Sequence, residues 1–415
     1  MSSPPPYWWE LGQEAQRDNR KTAEVQQIQS ALNGAPQVRV GVYPSGPPKG
    51  MQYMYAHGSL LARTTDIAVV TNVLNGIPAA AGYTVTQELA GKISRIHLPA
   101  TVDVNGQNVL FDQIKGQLSG KVMPDHIVHV TPAGACPATE PLLPGSASPD
   151  PATNAPPVSP VLQPSVLVID TGFRSDVQQN ATWMNNVGGG PEGGQADHYA
   201  GHGMFVAGIL AGRARTASIN VTNHLVRHGV VLESALAAVL DTALDQNPHV
   251  INMSAGTTTA DNTPPIALSV VNDKLKTKQT MLVAAAGNDQ SATEKFWPAA
   301  FPNVISVGAL DEWGVQAGYS NFGPWVQVWA RGSNIVNAYP KGAYQYAEPP
   351  YGPGDTVTFP QWLARWSGTS FAAPIVAGRI AAYLAANGGT PQAAWNAVRG
   401  SSQPNGPGGR PVITP

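Results

Sequence analysis

Four short runs of Val, Ile, Leu and Ala in the second half of the chain constrain its fold more than any other feature. None of them alternates with polar residues, and segments of helical length lie between them. Strands that are buried on both faces need such unbroken apolar runs, and they occur in parallel sheets covered by helices. We therefore predict an α/β fold, with a parallel sheet and helices on both faces. The predicted strands are residues 165–170, 249–256, 280–288 and 303–310, and the predicted helices lie near 202–212, 230–246 and 265–278.

A proline-rich stretch separates this half of the chain from the residues before it. Residues 132–164 contain ten prolines and almost no charge, a composition that predicts an extended linker. Before it, the chain has the β-α-β-β-α-β pattern of a small α+β domain. We therefore divide the chain into an N-terminal extension (1–50), the small α+β domain (51–131), the linker (132–164), the α/β domain (165–400) and a C-terminal tail (401–415).

Composition excludes several classes of protein. Charged residues make up 12% of the chain, about half of the roughly 25% usual in globular domains, and the net charge is −2, which leaves no basic surface for nucleic acid. The lone Cys136 excludes an internal disulfide and a multi-cysteine metal site. The chain start does not resemble a signal peptide, and no run approaches the roughly 18 apolar residues of a membrane span. If Met1 is the true start, we expect a cytoplasmic monomer without nucleic-acid or membrane partners.

Four polar side chains lie where a parallel sheet places its active site, beyond the carboxyl ends of the strands. Asp170 ends the first predicted strand, and Asn288 ends the third. His202 begins a helix between two glycines, where the helix dipole favours the neutral, proton-accepting imidazole. Ser370 begins another apolar helix, because Pro374 lacks an N–H and is tolerated only in the opening turns.

Each of these residues also has a simple structural explanation when it is taken alone. Asp170 could cap a turn, His202 could lie in a surface loop, and Ser370 could cap its helix. Together they supply a nucleophile, a base, a carboxylate that orients the base, and a donor for an oxyanion. This is the set of groups that acyl transfer requires.

The sequence around these residues resembles the subtilisin-like serine proteases, or subtilases. Six blocks in the same order carry the resemblance: VIDTG (168–172), GHGMFVAG (201–208), INMSAG (251–256), VAAAGN (283–288), FPNVISVGA (301–309) and GTSFAAPIVAG (368–378). It implies a serine endopeptidase with Ser370 as the nucleophile and His202 as the general base and then acid. It further implies that Asp170 orients the histidine and that Asn288 donates to the oxyanion.

The resemblance also implies how a protein or peptide substrate would bind. Ser254, Ala255 and Gly256 would form an edge strand for the peptide, and Ala285, Ala286 and Gly287 would form the opposite wall of a small apolar pocket. Residues 227–230 are a weaker candidate for the other edge. No cofactor is implied, and the segment after the His202 helix lacks the insertion that holds calcium in many relatives, so we expect no metal there.

Three further features depart from the family or extend its pattern. Met204 stands where the family usually has threonine. Residues 340–366 form a segment longer than expected, which could narrow the cleft or be a surface loop. The small α+β domain resembles the prodomain that many subtilases remove from themselves. The alternative interpretation is a permanently attached accessory domain.

Three other functions compete with this interpretation. Asp170-Thr171-Gly172 matches the aspartic-protease signature, but that chemistry needs two copies. His198 and His202, and also His224 and His228, have the spacing of helical metal ligands but lack the accompanying glutamate. A peptide-binding subtilase homologue without catalysis remains an alternative.

Overall fold

The N-terminal part of the chain folds as the small α+β domain that its pattern predicts. The computed structural model describes residues 25–26, 28–29, 32, 39–43, 53–130, 140–150, 159–192, 199–225, 229–346, 351, 354–404 and 406–414. The domain has strands β1 (Val40–Tyr43), β2 (Tyr53–Arg63), β3 (Thr84–Glu88), β4 (Ile93–His97) and β5 (Val122–His129), with helices α1 (Ile67–Leu74) and α2 (Val104–Lys115). Strand β1 precedes the predicted start of the domain at residue 51 and joins its sheet because it pairs with β2. Its strands pair antiparallel, and apolar residues of both helices pack into one core with them.

The four apolar runs form neighbouring strands of one parallel sheet. Its strands are β6 (Ser165–Asp170), β7 (Val187–Gly189), β8 (Ser218–Asn223), β10 (Val250–Met253), β11 (Met281–Ala285), β12 (Ile305–Leu310) and β13 (Val328–Arg331). They lie in the order β13-β12-β11-β10-β6-β8-β7. The helices of this half are α3 (His202–Arg213), α4 (Glu233–Asp245), α5 (Ile266–Leu275), α6 (Thr369–Asn387) and α7 (Pro391–Gly400). The predicted α/β class is confirmed.

Strand β6 shows why the apolar runs do not alternate. Val166 and Val168 belong to the core that contains residues of α3 and α6, whereas Leu167 and Ile169 belong to the core that contains residues of α4 and α5. Successive side chains of a strand point to opposite faces, so a strand between two helical layers must be apolar at every position.

The short strand β9 (Val230–Leu232) corrects one sequence prediction. The sequence suggested a helix over residues 230–246, but the helix α4 begins at Glu233, and the three residues before it extend the N-terminal sheet. Their partners in antiparallel register are Ile127, Val128 and His129 of β5. The two halves of the chain therefore share a sheet.

The described residues of the 340–366 segment (340–346, 351 and 354–366) form a folded insertion rather than an irregular loop. Strands β15 (Gly342–Gln345) and β16 (Thr356–Phe359) form a hairpin, and β17 (Leu363–Trp366) pairs with β14 (Ile335–Ala338).

Part of the proline-rich linker packs against this insertion. Leu142 exchanges both backbone hydrogen bonds with Arg365, and the Tyr346 hydroxyl donates to the Pro141 carbonyl over 2.5 Å. At the other end of this docked segment (residues 140–150), Asp150 forms an ion pair with Arg331 at 2.7 Å. The described part of the linker is therefore fixed to the α/β domain, which proline content alone did not indicate.

Helix α6 is the core helix of the α/β domain. It is long and apolar enough by composition to cross a membrane, but 78% of its most apolar 18-residue stretch is buried inside the protein. Pro374 lies inside this helix, and its missing N–H leaves the Ser370 carbonyl without a helical donor. The Ser254 hydroxyl donates to that carbonyl instead, at 2.8 Å.

Candidate active site

Asp170 and His202 form a buried pair at the carboxyl end of the parallel sheet. Asp170 is the last residue of β6, and His202 is the first residue of α3. His202 Nδ1 lies 2.7 Å from Asp170 Oδ1, and both side chains are almost completely buried. A carboxylate in this position orients an imidazole and stabilises the positive charge that it gains with a second proton.

Two aromatic rings border the imidazole of His202. The ring centroids of Trp366 and Phe371 lie 5.5 Å and 5.3 Å from it. Trp366 ends β17, so the insertion reaches the site. His202 Nε2 is buried and has no hydrogen-bond partner among the described residues. This nitrogen is therefore shielded from solvent, and no described residue competes for it.

Ser370 lies in the first turn of α6, at the positive end of the helix dipole. Its Oγ is within hydrogen-bond distance of two backbone carbonyl oxygens, Val130 O at 3.1 Å and Ser254 O at 3.2 Å. The hydroxyl donates to the backbone in this structure and not to His202 Nε2. Bonds between a nucleophile and its base are often loose until a substrate is correctly placed.

Asn288 is held by its side-chain oxygen. Asn288 Oδ1 accepts from the Thr369 backbone N–H at 2.9 Å and from the Thr369 hydroxyl at 2.8 Å. Asn288 Nδ2 is buried and has no partner among the residues that the structure describes. These contacts fix the amide beside the start of α6 with its donor unused, which is the arrangement that an oxyanion requires.

The residues expected to bind substrate have different roles in the structure. Gly256 exchanges both backbone hydrogen bonds with His129, at 3.0 Å each, so it pairs with an extended chain. The Ser254 hydroxyl instead donates to the Ser370 carbonyl at 2.8 Å and therefore supports α6. Gly287 N donates to the Thr369 hydroxyl at 3.2 Å. The other three, Ala255, Ala285 and Ala286, are buried in the hydrophobic cores.

The end of β5 lies between two edges of the α/β domain. On one side His129 pairs with Gly256, and on the other β5 pairs with β9. The Val130 N–H then donates to the Gly229 carbonyl at 3.0 Å, and the Val130 carbonyl faces Ser370. Gly229 and Val230 belong to the segment that the sequence analysis gave as the weaker candidate edge. We call the space between these two edges the groove. The chain's own strand β5 occupies it, and the residue after β5, Val130, reaches Ser370.

Buried carboxylates join the N-terminal domain to two helix N-termini. Asp125 accepts from the Ser234 backbone N–H at 3.0 Å, at the start of α4. Glu233 accepts from the Ala267 N–H at 2.5 Å, at the start of α5, and lies 2.7 Å from His126 Nδ1. Negative charge is favourable at helix N-termini, so these contacts stabilise the docked domain.

Sequence reasoning missed one carboxyl group close to the site, Glu192. It is the single acidic residue in a glycine-rich stretch, GGGPEGG (188–194), between the Asp170 strand and the His202 helix. The stretch has no periodicity, so only the isolated acid in it could have drawn attention.

Some earlier expectations lie outside the described residues, namely those on Cys136, His198, Arg227 and His228. Within the described part of the chain, no group of three His, Cys, Asp or Glu side chains is placed to hold a metal ion.

Known serine proteases match part of the chain. A thermophilic serine proteinase of Bacillus sp. (strain AK1) is 36% identical over 201 residues, which are 45% of this chain and 43% of that protein. A thermostable alkaline protease of Halalkalibacterium halodurans is 30% identical over 187 residues, which are 43% of this chain and 45% of that protein. The matches therefore span less than half the length of these relatives.

Solved structures support the fold. Fervidolysin from Fervidobacterium pennivorans, a keratinolytic enzyme related to subtilisin, matches with a TM-score of 0.57 and 20% identity, over 87% of this chain and 60% of that one. A lanthipeptide protease matches with a TM-score of 0.50 and 22% identity, over 60% of this chain and 83% of that one. The sequence model of the subtilase family matches residues 92–402, well over half of the chain. The chain therefore belongs to the subtilase family.

Proposed function

We propose that this protein is a serine endopeptidase that acts through Ser370, His202, Asp170 and Asn288. The observation that carries the proposal is the buried Asp170–His202 pair at 2.7 Å, at the same sheet edge as a serine in the first turn of α6. Two atoms that the reaction would use, His202 Nε2 and Asn288 Nδ2, are buried and have no partner among the described residues. Buried polar groups are rarely left without partners, and unpaired ones often mark a functional site.

The proposed reaction follows from these positions. Ser370 Oγ attacks the scissile carbonyl carbon while its proton passes to His202 Nε2, and Asp170 stabilises the resulting imidazolium through Nδ1–H. Asn288 Nδ2–H and the Ser370 backbone N–H donate to the oxyanion. The C–N bond then breaks, and Nε2–H protonates the leaving amine. Water repeats these steps on the acyl-enzyme and releases Ser370.

A fluorophosphonate probe tests this proposal directly. We expect one equivalent of the probe to attach to Ser370 and peptide hydrolysis to be lost in proportion to the label incorporated. Pepstatin should have no effect. Peptide mapping by mass spectrometry identifies the labelled residue. Failure of the probe to label the protein, together with retained peptide binding, would favour the non-catalytic homologue. Inhibition by pepstatin alone would favour the aspartic-protease alternative.

We further propose that the N-terminal domain is a prodomain that the enzyme removes from itself. The end of β5 already lies in the groove, with the Val130 carbonyl oxygen 3.1 Å from Ser370 Oγ. Ten residues later the chain is fixed again, because Glu140 is buried and Leu142 pairs with Arg365. Val130 thus brings the chain to the nucleophile of the same molecule, which favours cleavage soon after this residue.

Self-processing has a defined expected outcome. Wild-type protein should yield a chain that starts between residues 131 and 140, at a rate independent of protein concentration. The S370A variant should remain full-length, and the separated N-terminal fragment should inhibit the mature enzyme in trans, since it pairs with both edges of the groove. Intact-mass measurement and N-terminal sequencing follow the cleavage. A fully active chain that still has all 415 residues would make the domain a permanent accessory domain instead.

A further inference from the structure

The carboxyl group of Glu192 lies next to the backbone that carries His202, and the reaction described above gives it no role. Its Oε1 accepts a short hydrogen bond from the Gly201 backbone N–H and a longer one, 3.4 Å, from the Thr171 hydroxyl. Its Oε2 is buried without a partner among the described residues. Burying a carboxyl group in this way is costly, so the contacts that it makes must compensate for the cost.

The Glu192 carboxyl group reaches the backbone on both sides of His202. It holds the Gly201 N–H directly. The Gly203 N–H donates to the Thr171 hydroxyl at 2.9 Å, and that hydroxyl, which accepts there, has its own hydrogen available for Glu192. Both N–H groups that flank the histidine are thus linked to the Glu192 carboxyl group. The Gly201 N–H bonds to it directly, and the Gly203 N–H is linked to it through the Thr171 hydroxyl.

The same contacts reach Asp170. Thr171 follows Asp170 in the chain, and its backbone N–H donates to Asp170 Oδ1 at 2.8 Å. Oδ1 is also the atom that faces His202 Nδ1. Thr171 therefore links the carboxylate of the pair to the backbone next to the imidazole, and Glu192 fixes Thr171.

Close packing requires glycine on both sides of His202. Gly201 has a φ of +89°, and a Cβ there would lie 2.4 Å from the Tyr339 ring. A Cβ on Gly203 would lie 2.7 Å from the Gly172 carbonyl oxygen. Only glycine fits at either position, and glycine by itself does not fix a backbone conformation. The hydrogen bonds to Glu192 and Thr171 supply that restraint.

We propose that Glu192 is a positioning residue of the active site, which holds the backbone on both sides of His202 so that Nδ1 stays on Asp170 and Nε2 stays available for the proton of the nucleophile. This inference rests on the proposed function. It assigns Glu192 no contact with substrate.

The protonation of Glu192 gives the proposal a second, independent readout. Burial is the main cause that raises the pKa of Glu192 to about 8; the Gly201 N–H opposes this shift and the negative charge of Asp170 adds to it. Arg174 and Tyr339 are the other titratable groups that act on it in the described structure. Because its pKa is higher in the folded state, Glu192 binds more protons there than in the unfolded chain. Its contribution to the free energy of unfolding therefore falls as the pH rises from about 4.5 to about 8.

Two substitutions separate positioning from simple stability. Glu192→Ala removes both hydrogen bonds, and misplacement of a catalytic group by about 1 Å can cost on the order of 10²-fold in rate. We expect kcat to fall by roughly 10- to 100-fold with KM changed less than about 3-fold. Glu192→Gln keeps an oxygen for the Gly201 N–H but cannot ionise, so it should restore most of kcat. We expect the kcat of wild type to change near pH 8, where Glu192 ionises, and Glu192→Gln to abolish that change. Glu294→Gln, on the exposed surface, is the matched control.

A measurement in the S370A background does not depend on activity. The Nδ1 proton of His202, bonded to Asp170, should give a downfield NMR signal that Glu192→Gln retains and Glu192→Ala loses or broadens. If phosphonate labelling of wild type fails but this pattern appears, the proposed function is wrong and the positioning role stands. If labelling succeeds but Glu192→Ala keeps wild-type kcat and the downfield signal, the positioning role is wrong. Equal loss of kcat in Ala and Gln variants, with unchanged pH profiles, would also overturn it.

Discussion

The S370A variant is expected to lose peptide cleavage by on the order of 10⁶-fold and to lose phosphonate labelling completely. The change removes one oxygen atom from a side chain that is 2% exposed, so the fold should survive. The lost hydrogen bond to a backbone carbonyl is worth only about 1 kcal/mol. The rate effect is large because Ser370, His202 and Asp170 would act as one unit, and without the nucleophile the other two have no proton to transfer.

A nearby serine provides the control for this experiment. Ser367 lies three residues before Ser370, and its Oγ accepts from the Asn334 N–H instead of facing the cleft. S367A should keep activity, and circular dichroism together with thermal unfolding should show both variants folded. Undiminished cleavage by S370A would reject Ser370 as the nucleophile.

The N288A variant is expected to lower kcat by roughly 10²- to 10³-fold with little change in KM. The donor atom Nδ2 is needed mainly in the transition state, when the carbonyl oxygen gains negative charge. Steady-state kinetics on one peptide substrate separates the two parameters. A change confined to KM would mean that Asn288 binds substrate in the ground state only.

Asn288 has a second structural task, which a further variant isolates. Its Oδ1 holds both the N–H and the hydroxyl of Thr369, so alanine also releases the start of α6. N288D keeps an acceptor for Thr369 and removes the donor. It should unfold at a temperature closer to wild type than N288A does, yet have a kcat at least as low. A high kcat in N288D would show that the Thr369 contacts, and not the donor, matter for the rate.

The four residues of the proposed reaction could be predicted from the sequence because each prediction follows from local chain chemistry. Asp170 and Asn288 come directly after apolar runs that are buried on both faces, and His202 and Ser370 lie at helix starts marked by glycine or proline. In a parallel sheet these positions meet at one edge whatever the distances between them in the sequence.

The contacts that sequence reasoning missed depend on residues far apart in the chain. Val230–Leu232 is too short a strand to be recognised, and its strand character comes from pairing with β5, about 100 residues earlier. Leu142 belongs to a stretch whose composition indicates only an extended chain, and its partner Arg365 lies in the insertion. Glu192 carries no periodic signal, so its position became visible only when the Asp170 and His202 segments lay side by side.

The pairing of β5 with β9 and Gly256 has a consequence for the protein if the proposed self-processing releases the N-terminal domain. An edge strand with unpaired N–H and C=O groups is a template for any other extended chain, which includes identical molecules at high concentration. With the domain attached, both edges of the groove are hydrogen-bonded within one chain, and such a precursor should stay monodisperse where the processed form associates edge to edge or digests its neighbours. The timing of domain release would then determine when the protein begins to self-associate, as well as when it begins to cleave peptides.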